Sequence, residues 1–236
     1  MTKKVLICLW GITLLFCCCS SNSESQAIEP EIESENDQTQ TFSFLALGDS
    51  YTIGQGVKQE ESWPYQLKTA TRTSKNKIEN LTVIARTGWT TTDLLDAIQE
   101  QSPSNHDLVS LLIGVNNQFQ GGSFSTFQEE FDTLLDIAIN LANSNTKVMV
   151  VSIPDYGVTP FGINNSEIIA KELDNYNEYI KQQCTANKIA FVDVTTISRN
   201  LGASENALAD DRLHPSGYQY NLWVEKMIPI IEEILK

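Results

Sequence analysis

Thiols and imidazoles are nearly missing from the body of this chain. Past the first 19 residues there is one cysteine, Cys184, and the whole sequence holds two histidines, His106 and His214. A domain with one cysteine forms no internal disulfide. No His-Glu-x-x-His pattern and no thiol cluster is present, so a zinc centre is not expected. No phosphate-cradling glycine loop stands out, and no cofactor or metal is expected. Basic residues are scarce too, with 16 Lys and Arg against 30 Asp and Glu and a net charge of −14. Binding a phosphate backbone needs clustered cations, so nucleic acid is not an expected partner. The carboxylate surplus reads first as solubility through self-repulsion. There is no internal repeat, and no apolar run beyond the first 20 residues is long enough to span a bilayer.

The start of the chain reads as a targeting segment. Lys3 and Lys4 precede an apolar stretch from Val5 to Cys19, about 15 residues long and short of the ~20 a spanning helix needs. The run Leu14-Leu15-Phe16-Cys17-Cys18-Cys19-Ser20-Ser21 resembles a bacterial lipoprotein signal. Leu15 and Cys17 place Cys18 best as the modified cysteine; Cys17 and Cys19 are the competitors, and an ordinary cleaved signal peptide is the alternative. The expectation is an exported envelope protein, periplasmic or surface-facing, held to the membrane by an N-terminal lipid anchor. Residues 20–40 carry six acidic and no basic side chains. That stretch has too little apolar surface to bury a core and reads as a disordered tether.

From residue 41 to 236 one folded domain is expected. Five nearly continuous apolar runs read as strands: Phe42–Leu47, Leu81–Ala85, Leu108–Ile113, Lys147–Ile153 and Ile189–Val194. Such runs suit parallel strands covered on both faces. Amphipathic segments lie between them. Ser62 is a candidate cap for a helix through about Arg72, Thr91 or Thr92 for the next, and Ser125 with Gln128 for a third. Asn165 or Ser166 opens a helix whose Ile169, Leu173, Tyr176, Ile180 and Cys184 share one face, which makes Cys184 a core residue. Pro215 suits the first position of the last helix, and Pro229 should kink or end it. The fold class is α/β, a three-layer doubly wound, flavodoxin-like sheet of about five parallel strands.

In open sheets of this kind ligands bind beyond the carboxyl ends of the strands. Those ends read Gly48-Asp49-Ser50-Tyr51, Arg86-Thr87-Gly88, Gly114-Val115-Asn116-Asn117 and Pro154-Asp155-Tyr156-Gly157, with Asp211 and His214 past the fifth strand. The unusual polar and glycine clusters thus share one edge. A serine hydroxyl needs an imidazole to take its proton, and the imidazole needs a carboxylate. The Gly-x-Ser-x-Gly elbow of the α/β-hydrolases is absent at Ser50.

These blocks resemble the SGNH hydrolase superfamily, the GDSL esterases and lipases, over the region from Thr41 to the C-terminus. The four markers fall on Ser50, Gly88, Asn116 and His214, with Asp211 as the family's carboxylate. Two departures are visible. Gly88 sits in Ala85-Arg86-Thr87-Gly88-Trp89 rather than the commoner Asn-Ala-Gly, and Asn117 stands where an aspartate is usual. The resemblance implies catalysis by Ser50, His214 and Asp211, and an oxyanion hole from the Ser50 and Gly88 N–H groups and the Asn116 amide. It implies an esterase or lysophospholipase-like hydrolase acting on a small ester, lipid or acylated glycan. A carbohydrate O-acetylesterase and a non-catalytic surface binding lipoprotein are the alternatives. Each residue also has a duller reading: Ser50 as a helix cap, Gly88 and Asn116 as turn residues, His214 as a surface residue at a helix start, and Asp210 as a rival to Asp211. Phe119, Tyr156 and Phe161 are candidates for the substrate pocket, with packing as their alternative. His106 reads as structural or exposed, and Asp49 as a brace for its loop.

Overall fold

The computed structural model describes residues 39–236. The leader (1–19), Cys18 and the acidic tether up to residue 38 lie outside the described residues. In chain order the elements are β1 (Gln40–Gly48), α1 (Ser50–Ile53), α2 (Trp63–Ala70), β2 (Asn76–Ala85), α3 (Thr91–Gln101), β3 (Leu108–Leu112) and α4 (Val115–Phe119). They continue with α5 (Phe124–Ala142), β4 (Val148–Val151), α6 (Ser166–Asn187), β5 (Ala190–Val192), α7 (Thr195–Leu201) and α8 (Gly217–Ile234).

All five strands pair in parallel, in the order β2-β1-β3-β4-β5. The chain steps one way from β1 to β2 and the other way thereafter. Right-handed crossovers then put α2 on one face and α3, α5 and α6 on the other. The packing agrees: α3, α5 and α6 contact in series, and α8 lies against α2 and α7. Both faces of the sheet are therefore covered. Phe44, Leu45 and Leu47 of β1, Leu108 and Leu111 of β3, and Val148 and Met149 of β4 are fully buried. Each such side chain contributes about 1.5–3 kcal/mol of transfer free energy. The order reverses between β1 and β3, so a crevice opens where their carboxyl ends diverge.

Several element ends differ from the sequence reading. β1 and β2 start earlier, and β4 and β5 are shorter. The short helices α4 and α7 were not expected. Ser62 precedes α2, but its hydroxyl donates to the Gln59 carbonyl at 2.8 Å instead of accepting from the helix. Thr90, not Thr91 or Thr92, caps α3, because only Thr90 pairs reciprocally with Asp93. Ser123, not Ser125, caps α5 through the Thr126 N–H. Pro215 sits before α8, in an antiparallel bridge with Leu208, and Ser216 is the cap. Pro229 lies inside α8 and does not end it, since the helix runs on to Ile234. Cys184 is buried with Ile169, Leu173, Tyr176 and Ile180, and burial pushes its thiol up to about 12, where it is inert as a nucleophile. His106 is half-buried and bonds the Ser104 carbonyl and the Thr82 hydroxyl. No described helix is long and apolar enough to cross a membrane.

Candidate active site

β1 delivers the chain directly into the crevice. Asp49 follows the strand and its Oδ1 accepts the Tyr51 N–H at 3.0 Å, which folds Ser50 into the first position of α1. Ser50 has no intrahelical acceptor for its N–H there. Asp49 itself is fully buried, and its Oδ2 has no hydrogen-bond partner. Burial lifts this carboxyl from the ordinary 3.8 to about 7, against the pull of the Tyr51 N–H.

His214 arrives on a tight turn. Ala209 N–H donates to the His214 carbonyl at 2.8 Å, Arg212 N–H to the Ala209 carbonyl at 2.9 Å, and Arg212 takes a left-handed φ of +60°. Asp211 uses both carboxylate oxygens inside this turn. Its Oδ1 accepts from Leu213 N–H and His214 N–H, each at 2.9 Å, and its Oδ2 meets His214 Nδ1 at 2.7 Å. Partial burial pushes the Asp211 carboxyl up, but these N–H groups and the imidazole outweigh it and hold it below the ordinary value. Asp210 is exposed and makes none of these bonds. With Nδ1 held by Asp211, Nε2 is the ring nitrogen left for the crevice. The Tyr51 ring packs 5.5 Å from the imidazole.

Ser50 and His214 line one cleft of 240 Å³, together with Gly88 and Asn116. No hydrogen bond joins the Ser50 hydroxyl to the imidazole in this conformation. Such bonds are often long before substrate arrives and tighten in the complex. Gly88 has a φ of +87°, and a side chain added there would meet nothing within 4 Å. Only a glycine adopts that conformation readily and keeps the space above its N–H open. The loops after β2 and β3 are stitched together. Asn116 Nδ2 donates to the Trp89 carbonyl at 2.9 Å, and Gln120 Nε2 to the Gly88 carbonyl at 3.1 Å. Asn117 accepts the Thr91 N–H at 3.1 Å and donates to its hydroxyl at 2.6 Å, so an amide braces this loop where an aspartate was the expected residue.

The remaining wall is aromatic. Phe119, Tyr156 and Phe161 all line the cleft, with ring centroids 5.7–6.4 Å apart. Tyr156 donates to Gln118 Oε1 at 2.9 Å. Its loop is pinned by buried Asp155, which accepts from Gly157 N–H at 2.7 Å and pairs with Arg199 at 2.8 Å. Tyr51, Thr87, Val115 and Leu213 complete the lining. The sequence reading did not single out these four; as apolar or small residues beside the motifs they look like ordinary packing.

The cleft brings together what ester hydrolysis needs: a serine hydroxyl, an imidazole and a carboxylate bonded to that imidazole. The sequence profile of the GDSL-like lipase/acylhydrolase family matches residues 46–222, and the chain belongs to that family, within the SGNH superfamily. It is 31% identical over 144 residues to a multidomain esterase of Ruminococcus flavefaciens, a match covering 60% of this chain and 17% of that protein. It is 24% identical over 202 residues to the spore germination lipase LipC of Bacillus licheniformis, covering 78% of this chain and 93% of the lipase. Among solved structures, a lipase from a goat rumen metagenome superposes with a TM-score of 0.64 at 21% identity, over 80% of this chain and 96% of that one.

Proposed function

We propose that this protein hydrolyses small carboxylic esters through an acyl-enzyme on Ser50. The observation that carries the reading is the Asp211–His214 pair. The carboxylate fixes Nδ1 at 2.7 Å, so the opposite nitrogen is the one offered to the cleft that Ser50 lines. In the first half-reaction the Ser50 Oγ–carbonyl carbon bond forms as Nε2 takes the hydroxyl proton. The tetrahedral intermediate collapses, the bond from carbon to the alcohol oxygen breaks, and His214 returns the proton to the departing alcohol. Water repeats the sequence on the acyl-enzyme, giving the acid and free Ser50. The Ser50 and Gly88 N–H groups and the Asn116 amide stabilise the oxyanion, where each donor contributes about 2.7–4 kcal/mol.

The cleft also bounds the substrate. Its 240 Å³ falls below the range of about 300–1,000 Å³ common for sites that enclose drug-sized ligands. Apolar lining and small volume together favour short acyl chains over long ones. The same volume suits an acetyl group on a sugar, which makes an O-acetylesterase the second reading.

The decisive assay is hydrolysis of p-nitrophenyl acetate and butyrate by wild type and Ser50→Ala. The expected result is a loss of at least about 10⁴-fold in kcat for the variant. Equal rates refute the mechanism and favour a binding role. Release of acetate from acetylated glycans, without cleavage of butyrate, selects the second reading. The proposal extends to location: export, with a lipid on Cys18 holding the enzyme to the envelope. Fractionation of cells making Cys18→Ser tests it, and retention of that variant in the membrane fraction refutes it.

A further inference from the structure

Gly56 lies six residues after Ser50, at a φ of +85°. A Cβ at this position would fall 2.9 Å from the Ala209 Cβ and 3.1 Å from Asp211 Oδ2. Both distances are below ordinary van der Waals contact, and neither neighbour can rotate away cheaply. Ala209 has no side-chain torsion to adjust. Its backbone is locked to the turn that carries the acid and the base, through the Ala209–His214 and Arg212–Ala209 hydrogen bonds of 2.8 and 2.9 Å. Displacing Ala209 therefore moves that turn as a unit. The second neighbour, Oδ2, is the oxygen that receives His214 Nδ1. Two backbone N–H groups hold the other oxygen, Oδ1, so the carboxylate cannot swing as a whole without breaking them.

We propose that Gly56 is a positioning residue: its bare main chain is the wall against which the Asp211 carboxylate is seated. The loop that presents the nucleophile thereby also sets the orientation of the base. The first and last sequence blocks are coupled through a contact that no side chain of Gly56 makes. This inference rests on the triad reading of the previous subsection.

The test uses the full chain and four variants: Gly56→Ala, Gly56→Asn, Gly54→Asn and Asp211→Asn. Asparagine tolerates left-handed φ better than other residues with a Cβ, so Gly56→Asn relieves much of the backbone strain and keeps the steric contact. Gly54 has a φ of +81°, but a Cβ there meets Ser62 and Val57, not Asp211. Both Gly56 variants are expected to unfold cooperatively and to keep KM within about twofold. They should lose about 10²-fold in kcat, the scale of a misplaced catalytic group, and the downfield imidazole Nδ1 proton signal of His214 should move or vanish. Gly54→Asn is expected to melt earlier with kcat and that signal unchanged. Wild-type kcat and an unchanged proton signal in Gly56→Asn overturn the inference. So does failure of both Gly56 variants to fold, since Gly56 would then determine folding instead. Full activity in Asp211→Asn overturns the triad reading itself, whereas an inactive Asp211→Asn beside a fully active Gly56→Asn removes this inference alone.

Discussion

Replacing Asp49 with asparagine should change the pH dependence of stability in a way that can be worked out beforehand. The carboxyl is fully buried, one oxygen is unpartnered, and burial raises its pKa from 3.8 to about 7. A carboxyl raised on folding is favoured in its protonated form. The native state is therefore undisturbed by this group below about pH 4, where both states bind the proton. Between pH 4 and 7 the folded protein keeps the proton and the unfolded chain releases it, so stability falls by about 1.4 kcal/mol per pH unit. Above pH 7 the loss is complete, at about 4 kcal/mol. The asparagine side chain of the variant would accept the Tyr51 N–H in the same way and would not titrate. Any cost of its own buried N–H₂ is constant with pH and shifts the curve without tilting it. Urea unfolding of wild type and Asp49→Asn from pH 4 to 8 supplies the difference. Other titrating groups cancel in it. The expected plot slopes in favour of the variant up to pH 7 and is level beyond. Parallel stability curves over pH 4–7 would refute the reasoning, because they would mean the buried carboxyl feels no desolvation.

Two further substitutions separate chemistry from binding. Asn116→Ala removes one donor of the proposed oxyanion hole and should lower kcat by about 10²–10³ with little change in KM; stopped-flow or steady-state rates on p-nitrophenyl acetate measure it, and a change confined to KM contradicts the role. Phe161→Ala removes a ring that is more than half exposed and lines the cleft, so stability should stay within about 0.5 kcal/mol. The kcat/KM optimum over esters from acetate to laurate should move to longer chains, and an unmoved optimum removes Phe161 from the specificity wall.

The succession of strands along the chain and the address of the site were legible because the first four apolar runs each end in a cluster of polar and glycine residues. Ser50, Gly88, Asn116 and His214 stand out against such a background, and they do line one cleft. What could not be read was three-dimensional choice among equivalent neighbours. Thr90, Thr91 and Thr92 are interchangeable in a string, and only Thr90 reaches Asp93. Val115, Tyr51 and Leu213 face the cleft, yet in sequence they resemble Leu111 or Leu112, which face the core. The Asp155–Arg199 pair joins residues from different segments, and nothing in either segment announces the other. Pro229 reads as a kink or a stop because proline removes one helical donor, but the buried Met227 and Ile231 keep α8 packed across it.

The parallel register has a practical consequence at the opposite rim. Gln40 pairs with Asn76, and the Asn76 amide donates to the Leu235 carbonyl at 2.6 Å. The places where the backbone comes into the domain and leaves it are therefore neighbours. The nine residues of β1 separate them from Ser50 by about 30 Å, at ~3.3 Å per residue. A bead, a fusion partner or a short peptide joining both ends can be attached there without shadowing the mouth where esters come and go, and a circularly permuted version reopened at a surface loop should still turn over.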